Sequence, residues 1–118
     1  MDAVSMLFVE DEEDLRTLMF EALSERGYAV TLARNGRDAI EALRGPVQFS
    51  HVVTDVNMPN GVSGLQVALE AAQLQPQANV VLASGYQRAQ LPALPPGTRF
   101  LPKPYRLWQL FAAIEGPA

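Results

Sequence analysis

The sequence predicts one α/β domain, a parallel five-stranded sheet with helices on both faces. Three observations carry that prediction. Short apolar runs alternate with helix-like stretches five times along the chain, the pattern of strands joined by crossover helices. The first run, Val4 to Val9 (V-S-M-L-F-V), is almost continuously apolar, as a strand covered on both faces requires. The chain has 118 residues, 48% apolar and 19% charged, which suits a single compact core over 1–118 with no second module.

Each element follows in turn. Glu10-Asp11-Glu12-Glu13-Asp14 leads into Leu15, Leu18, Met19, Ala22 and Leu23 at helical spacing, and acidic residues in a first turn suit the positive end of the helix dipole. Gly27 ends that helix. Tyr28 to Ala33 reads as the second strand, and Asn35-Gly36 turns into a helix carrying Ala39, Ile40, Ala42 and Leu43, closed by Gly45-Pro46. Phe49 to Thr54 is the third strand, ending at Asp55, and the loop Met58-Pro59-Asn60-Gly61-Val62-Ser63-Gly64 leads to a helix with Leu65, Ala68, Leu69 and Ala72. Asn79 to Ala83 is the fourth strand. Between Tyr86 and Gly97 stand Pro92, Pro95 and Pro96, so any helix there is short. Thr98 to Leu101 forms the fifth strand, and Leu107 to Ile114 the last helix.

Composition narrows the function. There is no cysteine to tie the chain to an oxidising compartment. No apolar run approaches the roughly 18 residues of a membrane span, and Met1-Asp2-Ala3 does not open a signal peptide. A cytoplasmic protein is expected. The net charge is −4 and the basic residues are scattered, so neither a nucleic acid nor a membrane surface is expected as partner. Of the nine basic residues eight are arginine; the single lysine is Lys103.

In a parallel α/β sheet ligands bind beyond the carboxyl ends of the strands. The residues there are Glu10 and Asp11, Asp55 with Asn57 in the following loop, Ser84, and Lys103. Three carboxylates at one edge repel one another unless a cation is present. Mg2+ suits them, since it takes hard oxygen ligands and keeps several waters. An aspartate is a competent nucleophile toward phosphorus, and phosphoryl transfer asks for little beyond alignment and charge neutralisation. Lys103 supplies a compact ammonium and Ser84 a hydroxyl for phosphoryl oxygens. Taken singly, each residue has a plainer reading: a helix-start charge cluster, a cap, a turn. Their joint occurrence, each at its own strand end, is what those readings leave unexplained.

The residues V-E-D-E at 9–12, T-D-V-N-M-P at 54–59, A-S-G at 83–85 and F-L-P-K-P-Y at 100–105 resemble response-regulator receiver domains, over essentially the whole chain. The resemblance implies the flavodoxin-like fold with strand order 2-1-3-4-5. It implies Asp55 as phosphoacceptor and a metal site of Asp11, Glu10 (through water), Asp55 and the backbone carbonyl of Asn57, filled by Mg2+ with Mn2+ as a substitute. Ser84 and Phe100 correspond to the switch residues, Lys103 to the phosphate-binding lysine, and the Lys103–Pro104 bond is expected to be cis. The implied donor is a sensor histidine kinase or a histidine phosphotransfer protein, and output passes to a further protein. Receivers of this kind catalyse their own phosphorylation and slow dephosphorylation without being enzymes in the ordinary sense.

The loop after Pro59 is longer than the commoner form and the segment from Ser84 to Lys103 shorter and proline-rich. Both traits resemble receivers of hybrid sensor kinases and their stand-alone relatives, and they leave the usual output face in question. Trp108 either folds over the sheet edge or anchors a partner. The first helix has more apolar positions than one buried stripe needs, which leaves Leu18 or Phe20 near the acidic mouth. His51, Met6 and Met58 read as packing. Three other classes compete with this reading: an interaction module that takes no phosphate, a small phosphohydrolase with an aspartate nucleophile, which wants an acid where Asn57 stands, and a flavin module, which wants a glycine-rich loop where Glu10–Asp14 stands.

Overall fold

In a computed structural model, residues 3–58 and 61–116 are described; Pro59 and Asn60 of the long loop, and Met1 and Asp2, lie outside them. The elements run β1 (Val4–Val9), α1 (Glu13–Glu25), β2 (Tyr28–Ala33), α2 (Gly36–Arg44), β3 (His51–Asp55), α3 (Gly64–Leu74), β4 (Asn79–Ser84), β5 (Arg99–Pro102) and α4 (Leu107–Glu115). All strand pairs are parallel, in the order β2-β1-β3-β4-β5.

Alternation along each strand divides the core. Leu7, Val9, Val52 and Val80 face α2 and α3, meeting Ala39, Leu43, Val67, Ala68 and Ala71. Met6, Phe8, Val53 and Val81 face the other way, meeting Met19 and Leu23 of α1 and Leu110 and Ile114 of α4. Successive side chains of a strand point to opposite faces, so the nearly continuous apolar run of β1 feeds both layers. Met6 and Met58 are packing residues, as expected.

The register aligns the strand ends that matter. Val9 stands beside Ala33 and Thr54, Asp55 beside Ala83, and Ser84 beside Pro102. Local signals fix the helices behind them. The Asn35 side chain accepts the Asp38 amide at 2.8 Å, starting α2, and Ser63 accepts the Gln66 amide, starting α3. Gly27, at φ +104°, turns the chain after α1 in a region where a side chain would be strained.

Several boundaries differ from the sequence reading. β3 begins at His51, not Phe49, because the Phe49 amide donates to the buried Gln75 Oε1 at 2.7 Å instead of joining the sheet. β4 extends to Ser84, and β5 is shifted by one residue to Arg99–Pro102, since Thr98 donates to Pro95 in a turn. The fourth connection, read as a short helix region, holds a single 3-10 turn at Arg88–Gln90. Pro92, Pro95 and Pro96 lack the N–H that a continuing helix needs. Trp108 does not fold over the sheet edge: it is 66% exposed on α4.

Candidate functional site

Four loops meet at the carboxyl end of the sheet. β1 delivers Glu10 and Asp11, β3 delivers Asp55 and Asn57, β4 ends on Ser84, and β5 is followed by Lys103. One carboxylate oxygen each from Glu10, Asp11 and Asp55 lie within 4.8 Å of one another. Lys103 Nζ stands 2.6 Å from Asp55 Oδ2, and the Asn57 amide donates to Oδ1 at 3.2 Å. The Asp55 carboxylate is thus held at both oxygens, by a cation on one side and a backbone N–H on the other.

The backbone under Asp55 leaves no slack. A Cβ added at Gly64 would fall 1.7 Å from the Asp55 carbonyl oxygen, and the Gly64 amide donates to Val56 at 2.9 Å. Only a glycine lets α3 begin this close to the strand. On the other flank the Lys103 amide donates to the Ser84 carbonyl at 2.7 Å, and the Lys103–Pro104 peptide is cis. Ser84 is buried, and its hydroxyl oxygen accepts the Tyr86 amide at 2.9 Å, which leaves its own proton for another acceptor. Phe100 is half-buried on β5, in register with Leu82.

Charge is unbalanced here. Three carboxylates share a single ammonium. Glu10 is 5% exposed, and burial raises its pKa against the opposing pull of the Glu12 amide and the Lys103 charge. Burial works against the Lys103 ammonium, but its bond to Asp55 and the charges of Asp55, Glu10 and Asp11 outweigh it and raise its pKa. A set of hard oxygen donors with one positive charge too few is what a small divalent cation requires. The residues present therefore fit Mg2+.

Two participants escaped the sequence reading. Arg16, in α1, donates from one guanidinium nitrogen to the Glu10 and Asp11 carbonyls at 3.0 and 3.4 Å. Tyr105 is half-buried beside the site, and burial, then the charges of Glu10 and Asp55, push its phenol up to about 12. Leu18, 61% exposed, lines an apolar groove with Leu15, Ala22, Tyr105 and Leu107 that runs up to Lys103. Phe20 is also exposed but does not line it. His51 lies at the far end of the sheet, its ring edge-on to Tyr28.

Comparison with known proteins bears on this geometry. Residues 6–115 match the family model described as the response regulator receiver domain. The chain is 32% identical to the response regulator receiver protein CpdR of Brucella abortus, over 93% of this chain and 92% of that one. Among solved structures, a response regulator receiver protein from Sinorhizobium medicae superposes with a TM-score of 0.88 at 31% identity, covering 96% of this chain and 92% of that one. The response regulator TrrA of Thermotoga maritima, solved with Mg2+ and BeF, gives 0.76 at 30% identity, covering 92% and 93%. TrrA has also been solved in complex with the histidine kinase ThkA.

Proposed function

The chain belongs to the response regulator receiver family, the phosphoacceptor domains of two-component signalling, and from that premise we propose that Asp55 is the residue phosphorylated. The observation that carries the proposal is the Asp55 carboxylate itself, held 2.6 Å from the only lysine of the chain and within 4.8 Å of two further carboxylates.

An Asp55 Oδ bonds to phosphorus as the P–N bond of a phosphohistidine breaks, the electron pair returning to the donor imidazole. Lys103 passes from the carboxylate to a phosphoryl oxygen, its charge following the charge that moves. The donor is a sensor histidine kinase or a histidine phosphotransfer protein; the kinase bound to TrrA supports the first. The apolar groove of Leu15, Leu18, Ala22 and Leu107 ends at Lys103, so a helix of the donor seated there brings its histidine to the mouth. A donor of that kind draws its phosphoryl group from ATP, which supports a cytoplasmic location for the protein.

Asp11 and Asp55, with the Asn57 backbone carbonyl, would hold Mg2+, and Glu10 would act through water; Mn2+ would substitute. When bound, the ion supplies neutralisation of the carboxylates and of the incoming phosphoryl oxygens. Ser84 keeps its hydroxyl proton for a phosphoryl oxygen. Its movement toward that oxygen, with Phe100 packing into the vacated space, is the switch read by a downstream protein. Phe100 carries no hydroxyl, so its part is packing alone. Slow self-catalysed hydrolysis of the acyl phosphate resets the state.

Incubation with Mg2+ and acetyl phosphate should give a single alkali-labile phosphoryl adduct by intact mass, absent from Asp55→Asn. An adduct that persists in Asp55→Asn would remove Asp55 from this role. No adduct in the unaltered chain would favour an interaction module that takes no phosphate.

A further inference from the structure

An arginine in the first turn of a helix stands at the unfavourable end of the dipole. Arg16 occupies that position in α1, whose other early charges are Glu13 and Asp14. Five acidic side chains precede it between residues 10 and 14, yet among the described residues it forms no ion pair with any of them. Its guanidinium turns back across the helix start and donates to two backbone carbonyls, those of Glu10 at 3.0 Å and Asp11 at 3.4 Å.

Those two carbonyls belong to the peptides on either side of Asp11. The second peptide, Asp11–Glu12, is held at both ends: its carbonyl accepts from Arg16, and its N–H, on Glu12, donates to the Glu10 carboxylate at 3.1 Å. One guanidinium thereby sets the plane of the peptide that aims the Glu10 carboxylate and of the peptide that sets the direction of the Asp11 side chain. We propose that Arg16 is a positioning residue for the divalent cation, holding the acidic loop in its metal-binding shape through the backbone. The inference rests on the metal reading of Glu10, Asp11 and Asp55 given above.

Charge and geometry make opposite predictions. A guanidinium this close to the acidic loop repels a divalent cation, so if charge alone mattered its removal would tighten Mg2+ binding. If Arg16 holds the ligands in place, removal loosens binding, and losses of roughly tenfold are usual for residues that orient metal ligands. The sign decides.

Mg2+ would be titrated into the unaltered chain, Arg16→Ala and Arg16→Lys, following amide chemical shifts, with melting recorded in EDTA. The expected result is roughly tenfold weaker Mg2+ binding in Arg16→Ala and a smaller loss in Arg16→Lys, which keeps the charge and a nitrogen donor but not the rigid planar guanidinium that fixes the donor's direction. Melting in EDTA should be unchanged, separating this role from a merely structural one. Mg2+ affinity unchanged or tighter in either folded variant overturns the inference. Should Arg16→Ala not fold, Arg16→Lys decides alone by the same criterion. Failure of the unaltered chain to bind Mg2+ is a distinct result: it overturns the metal reading, and this inference with it.

Discussion

At the carboxyl end of the sheet Lys103 holds Asp55 at 2.6 Å; at the amino end Arg26 holds Glu115 at 2.5 Å. The second carboxylate is fully engaged. It accepts from two guanidinium nitrogens and from the Tyr28 hydroxyl, while Arg26 stacks over the Phe111 ring at 4.2 Å. The result is a matched clasp, joining the end of α1 to the end of α4 in the open. At the first end one ammonium serves three carboxylates in a more enclosed setting, where the Asp55 side chain is 12% exposed against 34% for Glu115. Two ion pairs of nearly equal length thus have different meanings. Matched charge at the surface stabilises little, whereas unmatched charge in a partly dry pocket attracts a cation.

Breaking each pair from one side, at the cation of the first and the carboxylate of the second, should separate them. Lys103→Met should slow phosphorylation by acetyl phosphate roughly 100-fold, the usual scale for losing one group that stabilises developing charge. It should also lower the melting temperature in EDTA, with Mg2+ restoring most of the loss, because the cation takes over neutralisation of the three carboxylates. A phosphorylation rate close to that of the unaltered chain would show that the 2.6 Å contact is incidental. Breaking the pair at the other end, by Glu115→Gln, should leave the phosphorylation rate alone. It should lower the melting temperature slightly at low salt and less at high salt, as screening predicts for exposed charges. A Glu115→Gln effect on phosphorylation would mean the two ends communicate and that the clasp is part of the switch.

How far the sequence showed each end follows the same division. The mouth was readable because every member stands at the end of its own strand, where the parallel-sheet rule looks for function; Glu10, Asp11, Asp55 and Ser84 are all placed by apolar runs that announce themselves. The clasp was not readable, since Arg26 and Tyr28 reach a residue 89 and 87 positions away and nothing local marks either. Arg16 lay between these cases. Its position against the helix dipole was a visible anomaly, but its partners are carbonyls, which no residue type announces. Strand limits slipped by one or two residues for a related reason. Phe49 looks like a strand residue, and only the Gln75 side chain, 26 positions on, takes its amide out of the sheet. The proline-rich fourth connection was foreseen as short, though not that a 3-10 turn would be its only helix.

The finest distinction between the ends lies in two tyrosines. Burial first, and then neighbouring carboxylates, push both Tyr28 and Tyr105 from 10 up to about 12; the carboxylate is Glu115 for Tyr28, and Glu10 and then Asp55 for Tyr105. Each folded phenol keeps its proton in a range where the unfolded chain has lost it. The resulting stability is complete below pH 10 and is lost as the pH rises through about 12. Glu10→Gln should therefore lower the Tyr105 pKa and leave Tyr28 unmoved, and Glu115→Gln should do the reverse. Ultraviolet titration of tyrosinate in the Tyr28→Phe and Tyr105→Phe backgrounds would resolve the two. Burial is the larger cause at both, so the shifts should be partial. If Glu10→Gln leaves Tyr105 where it was, the excess negative charge of the mouth does not reach the phenol, and burial alone sets its proton affinity.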